Sequence, residues 1–164
     1  MTADFQKNTR YTIGLISDTH GRLPSAALSA LNNCELVIHA GDIDSPEILD
    51  RLKETAPTVA VRGNMDQGAW SLSLPESRIV RVGEVVLLVC HILDKRKPED
   101  GAVTVVVYGH THRPDAYMEN GVLFVNPGSA SAPRYHHPPS VARLHVNGKH
   151  IRVEHVALDE DRQD

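Results

Sequence analysis

Five short apolar runs in the first 112 residues of this chain break off at the same kind of chemistry. Tyr11–Ile16 is followed by Asp18-Thr19-His20, Glu35–His39 by Gly41-Asp42, and Thr58–Val61 by Gly63-Asn64. Val85–Cys90 is followed by His91, and Val103–Tyr108 by Gly109-His110-Thr111-His112. Short β-branched runs bounded by turn formers read as buried strands. Between the first three lie two segments with helical spacing, Pro24–Asn33 and Ser45–Glu54, the second with Ser45 as N-cap and Pro46 at the first helical position. Strand, helix, strand, helix, strand implies a parallel sheet with right-handed crossovers. In such sheets ligands bind beyond the carboxyl ends of the strands. That is where every one of these polar groups falls.

The rest of the chain is strand-like: Arg78–Val82, Val122–Val125, Val141–Val146 and His150–Ala157, with an Asn147-Gly148 hairpin turn before the last. No linker, repeat or low-complexity block interrupts the 164 residues, so one α/β domain spanning 1–164 is expected, with two packed sheets and helices outside. The hydrophobic share of 41% and net charge of −4 suit an ordinary soluble protein and lack the basic footprint of a nucleic-acid binder. No stretch approaches the ~20 apolar residues of a membrane span, and the first residues lack the apolar core of a secretory signal. Cys34 and Cys90 read as buried thiols, and a cytoplasmic location is expected.

Seven metal-competent side chains emerge from the strand ends: Asp18, His20, Asp42, Asn64, His91, His110 and His112. Carboxylate, imidazole and amide oxygen without thiolate favour Mn, Fe, Co, Ni or Zn over a cysteine-type structural zinc. One ion needs only some of them, whereas two ions about 3.5–4 Å apart would use them all, with a carboxylate between. Two divalent ions set against Asp18, Asp42 and a hydroxide would leave one positive charge, which suits a phosphoester anion.

These blocks, in this order, resemble the signature of the calcineurin-like metallophosphoesterases. Asn126-Pro127-Gly128-Ser129 is similar to the small bacterial and archaeal phosphodiesterase branch. The resemblance implies a four-layer α-β-β-α sandwich of two mixed sheets flanked by helices. It implies a hydrolase cleaving a small phosphodiester by attack of a hydroxide bridging two divalent ions, manganese first, with Fe, Ni, Co or Zn as alternatives. By position, Asp18, His20 and His112 would hold one ion, Asn64, His91 and His110 the other, and Asp42 would bridge. The residues agree with this allocation. In extended backbone Asp18 and His20 project to one side, and Asp42 offers two oxygens for bridging. Asp66 would orient ligands or substrate, and Arg62, Arg134 and Asn64 would contact the phosphate.

Two departures from the pattern bear on chemistry. Met65 follows Asn64 where many members have a leaving-group acid, so activated or diester substrates are favoured over monoesters. His91 is followed by Ile92-Leu93 rather than glycine, and the segment to Gly101, with its charged run Asp94-Lys95-Arg96-Lys97, is shorter than the family's. The alternatives are a protein-binding scaffold on the same fold, as in the retromer subunit that has lost its metal ligands, and a nuclease subunit. A homo-oligomer is compatible with the sequence, with Trp70 and Leu72 as contact candidates. Among other residues, His39, His145, His150 and His155 read as structural and His136 and His137 as solvent-facing. Asp44 reads as a helix-approach or cap residue, and Cys90 as pointing into the core.

Overall fold

All nine expected strands form, and two more join them. The computed structural model describes residues 3–5, 9–93 and 101–159. The run Asp94–Lys97 and the chain beyond residue 159 therefore lie outside the described residues. In order, the elements are β1 (Ala3–Phe5), β2 (Arg10–Ile16), α1 (Ser25–Ala30), β3 (Leu36–His39), α2 (Pro46–Thr55) and β4 (Thr58–Ala60). A 3₁₀ turn (Ala69–Ser73) leads to β5 (Ser77–Val82), β6 (Val85–Cys90), β7 (Val105–Val107), β8 (Pro114–Glu119), β9 (Val122–Pro127), β10 (Ser140–Asn147) and β11 (His150–Ala157).

The strands make two mixed sheets. One has the order β11-β10-β2-β3-β4, with β2, β3 and β4 parallel as the alternating pattern requires. The other has the order β1-β5-β6-β7-β9-β8. Inward residues of alternate positions form the core between them: Ile13, Leu15, Leu36, Ile38 and Val59 meet Val80, Leu87, Val89, Val105 and Val107. The opposite face of the five-stranded sheet, through Ile16, Val37 and Ala60, is covered by α1 and α2, which contribute Ala27, Ile48, Leu49 and Leu52. The expected sandwich is present, but its helices are unevenly placed. Among the described residues no helix lies on the outer face of the six-stranded sheet, where Val86 and Val106 gather with half-buried Ile79, Leu88, Cys90 and Phe124. Cys90 thus faces that outer layer, not the core. Its neighbours on β6 alternate across the sheet, and Val89 takes the inward position.

Local signals explain the remaining differences. β8 starts on Pro and carries Asp115 and Glu119, which disguises it in the sequence but suits an exposed edge strand. Asn120 and Gly121 join it to β9 with φ of 50° and 77°, the positive pair a tight hairpin needs. Pro24 is the N-cap of a shortened α1 rather than part of its first turn. Ser45 is the N-cap of α2, but its hydroxyl donates to the Glu47 carboxylate instead of the backbone. Cys34 and Cys90 do not form a disulfide.

Candidate metal centre

The loops leaving β2, β3, β4, β6 and β7 meet at one edge of the sandwich. Asp18 N–H donates to Gly41 O at 3.0 Å, His20 N–H to Asp42 O at 3.1 Å, and Gly109 N–H to His91 O at 3.0 Å, lacing the loops together. Such close approach depends on two glycines. A Cβ on Gly63 would sit 2.1 Å from Asp42 N, and one on Gly109 would sit 2.0 Å from Ser17 Oγ. Either would force the loops apart.

All seven expected donors come together in two groups. Asp18, His20 and His112 place one ligand atom each within 4.8 Å of one another, and so do Asp42, His91 and His110. In the first, His112 Nε2 lies 3.3 Å from Asp18 Oδ1 and 3.2 Å from His20 Nε2. In the second, His91 Nε2 lies 3.1 Å from Asp42 Oδ2, and Asn64 Oδ1 lies 3.0 Å from His110 Nδ1. The groups touch: Asp42 Oδ2 is 3.8 Å from His20 Nε2, and Asp18 Oδ1 is 3.9 Å from His91 Nε2.

The backbone differs from the extended form expected at Asp18 and His20. Asp18, His20, Asp42, Asp44, His110 and His112 all have φ between 47° and 69°. Left-handed backbone costs an ordinary residue roughly 1–2 kcal/mol, less for Asp. The turn makes each side chain double back over the strand ends. Asp42 also departs from expectation, because only Oδ2 faces both groups. Its Oδ1 accepts the Met65 N–H at 2.8 Å.

Neighbouring groups fix which atom each residue presents. His91 Nδ1–H donates to Ala40 O at 2.7 Å, His112 Nδ1–H to Ala132 O, and His20 Nδ1–H to Asp44 Oδ2 at 2.9 Å. Each Nε2 is thereby left with its lone pair toward the cluster. Asp18 Oδ2 accepts Ser17 Oγ–H at 2.6 Å and His110 N–H at 3.1 Å, leaving Oδ1 for the cluster. Buried Asp18 Oδ1 and His91 Nε2 have no hydrogen-bond partner. Two orphaned acceptors facing each other across a polar pocket are costly unless a cation joins them. The donor set of imidazole, carboxylate and amide oxygen fits a divalent first-row ion in each group.

Electrostatics agree. Burial pushes the Asp18 carboxyl up, but the adjacent His112 imidazole, the Ser17 hydroxyl and the His91 charge hold it below the usual carboxylate value. Asp42 is likewise low, since His91 and the Met65 N–H outweigh burial. His91 is raised: burial opposes protonation, but Asp42 and Asp18 favour it more. His112 is raised chiefly by Asp18. The cluster attracts positive charge.

Asp44 and the Asn126–Ser129 block take roles the sequence did not suggest, and Asp66, expected to orient ligands or substrate, acts through the backbone. Asp44 is not a cap but the partner that orients His20; its Asp42-Ile43-Asp44 spacing was the available signal. Asp66 does not face the donors at all. Its carboxylate accepts four backbone N–H groups, from Asp42 at 3.0 Å, Ile43 at 2.7 Å, Asp44 at 2.8 Å and Gly63 at 2.7 Å. It is a positioning residue that ties the loop after β3 to the loop after β4. Asn126 binds Gly109 O and Thr111 Oγ1, each at 3.0 Å, and Ser129 Oγ–H donates to Asp18 O at 2.7 Å, so the Asn126–Ser129 block braces two donor loops. Arg62 borders the adjoining cavity but pairs with Glu76 at 2.7 Å, and Arg134 is exposed near His112. The histidines read as structural behave so where partners are seen. His39 bridges Thr19 and Gly41, His145 meets Glu154, and His155 binds Asn126 O.

The sequence profile of the calcineurin-like phosphoesterase superfamily domain matches residues 11–149. A probable metallophosphoesterase of Methanocaldococcus jannaschii is 36% identical over 137 residues, which cover 74% of this chain and 69% of that one. An archaeal phosphodiesterase of known structure superposes with a TM-score of 0.74 at 26% identity, covering 88% and 99% of the two chains. Vacuolar protein sorting 29 from Cryptosporidium parvum superposes with a TM-score of 0.77 at 24% identity, covering 94% and 95%, a likeness of fold. No helix among the described residues is long and apolar enough to cross a membrane. Profile, relative and fold agree that the chain belongs to the calcineurin-like phosphoesterase superfamily.

Proposed function

We propose that the protein is a phosphodiesterase dependent on two divalent metal ions, manganese first among them. Asp18, His20 and His112 would hold one, Asn64, His91 and His110 the other, and Asp42 Oδ2 would be shared. The observation that carries this is the buried, unpartnered pair Asp18 Oδ1 and His91 Nε2 at the junction of the two donor groups. When bound, such ions polarise phosphoryl oxygens and make a water acidic enough to supply hydroxide near neutral pH.

The chain's own residues shape the rest. Asp44, Ala40 O and Ala132 O hold Nδ1–H of the imidazoles, so Nε2 is the atom presented, and on His91 and His112 an ion would displace the proton that Asp42 and Asp18 favour there. The charge of Asp18 and Asp42 is set by neighbouring imidazoles rather than by solvent. Asn64 is exposed beside His110 and is placed to meet a phosphoryl oxygen as well as an ion. Met65 is half-exposed next to it, and its thioether has no proton to give a departing alkoxide. That favours a leaving group needing no acid, which means a diester with a stabilised leaving oxygen. Arg62 and Arg134 are the side chains available to attract the anion.

The test is hydrolysis of bis(p-nitrophenyl) phosphate and p-nitrophenyl phosphate by chelator-stripped protein, with Mn²⁺ withheld and restored. Restored diester cleavage exceeding monoester cleavage at least tenfold is expected. Absence of turnover with Mn²⁺, Fe²⁺, Co²⁺, Ni²⁺ and Zn²⁺ alike would overturn the proposal in favour of a scaffold on this fold.

A further inference from the structure

A cavity of about 1030 Å³ runs from Asn64 and His91, at one edge of the donor cluster, onto the outer face of the six-stranded sheet. Asn64 and His91 border one end, and Ile79, Leu88, Val106 and Phe124 form the floor of the other. The five-stranded sheet buries its outer face under two helices. The six-stranded sheet has no helix on it among the described residues. An apolar floor of this kind, open to solvent yet joined to a site, is suited to holding part of a ligand.

Taking the phosphodiesterase reading as its basis, we infer that the substrate is a phosphodiester bearing one extended apolar ester group, which runs back past Cys90 to the row Ile79, Leu88, Val106 and Phe124 that crosses β5, β6, β7 and β9, while its phosphate sits at Asn64 and His91. Continuity decides for a substrate over a separate partner, because the apolar strip begins where the donors end. Cys90 lines the cavity and is the residue immediately before His91. From His91 back to Leu88 is three residues of strand, about 10 Å of reach. Stacked on Phe124, with ring centroids 5.1 Å apart, Tyr117 gives the floor a flat aromatic border. No bond changes beyond the diester hydrolysis already proposed are required.

Manganese-loaded protein with methyl, butyl and octyl p-nitrophenyl phosphate supplies the test. The KM should fall with chain length, by roughly fourfold for each methylene buried, while kcat stays level. Leu88→Gln should compress the octyl-to-methyl ratio of kcat/KM at least fivefold. Calorimetry with methyl and octyl phosphate, below the micellar concentration, reads binding without turnover, and octyl phosphate should bind at least tenfold more tightly. Turnover of all three diesters at one KM, with equal binding of the two monoesters, would overturn this inference and leave the phosphodiesterase reading intact. Loss of all turnover alongside a preserved octyl preference in binding would overturn the phosphodiesterase reading and keep the apolar subsite. A concentration-dependent dimer with no chain-length effect would show that the face belongs to a second copy instead.

Discussion

At His20 and His39 the same side chain does opposite work. His20 is held by Asp44, whose carboxylate accepts its Nδ1–H at 2.9 Å. Asp44→Asn keeps a residue that tolerates the left-handed backbone but removes the charge that strengthens the imidazole as a ligand. Manganese affinity measured by calorimetry should fall about tenfold or more, and an unchanged affinity would remove Asp44 from the centre. His39 is fully buried, and burial drives its pKa down to about 3. Its folded value lies below its unfolded value of 6.5. The stability it contributes is therefore present above pH 6.5 and is lost as the unfolded state takes up a proton below it. His91 and His112 are shifted upward, so in metal-free protein their contribution is complete below the unfolded histidine value and is lost on going to higher pH. The two effects act in separate windows. Denaturant midpoints of metal-free protein should peak near the histidine value and fall on its acid side by up to about 1.4 kcal/mol per pH unit. A His39→Gln variant that keeps the same acid slope would show that another group is responsible.

Asp66 joins loop to loop with more backbone hydrogen bonds than any other side chain named in the centre. Its four backbone hydrogen bonds connect the chain leaving β3 to the chain leaving β4. Asp66→Ala should cost about 3 kcal/mol or more, since buried donors left unsatisfied cost about 1–3 kcal/mol each. It should also weaken metal binding without touching a donor. A urea midpoint shift worth less than 1 kcal/mol would contradict that role. At this scale the sequence was informative where periodicity and burial coincide. β2, β3 and β4 are continuous apolar runs because both of their faces are covered, and the parallel order followed directly. β8 was hidden because an edge strand exposed along its length has no apolar period to show, although Asn120-Gly121 marked its turn. The part Asp44 plays beside His20 was missed for a related reason. A carboxylate near a metal-type motif looks the same in sequence whether it faces the ligand site or the backbone behind it.

Across the molecule, the candidate centre is the place where loops from both sheets meet, with Asp18, His20, Asp42 and Asn64 following the five-stranded sheet and His91, His110 and His112 the six-stranded one. Cations bound there would couple the halves of the sandwich. Chelator-treated protein returned to a Mn²⁺ concentration of about 100 times Kd should gain about 2.7 kcal/mol. That amounts to roughly 5–10 °C in melting temperature for a chain of this size. A melting curve indifferent to Mn²⁺ would deny that the two halves share an ion. The convergence of the seven candidate donors was legible from their strand-end positions, because topology alone carries the ends of parallel strands to one edge. Their backbone was not, since a left-handed residue leaves no mark on periodicity. Six such residues at about 1 kcal/mol each amount to a sizeable part of the 5–15 kcal/mol by which a domain is stable. The surrounding sandwich, through the glycine contacts and Asp66, therefore holds these loops in a shape they would not choose. The centre is consequently not portable: a peptide copy of its loops, or a graft of its seven donors onto another strand edge, would relax into ordinary turns and lose the ions.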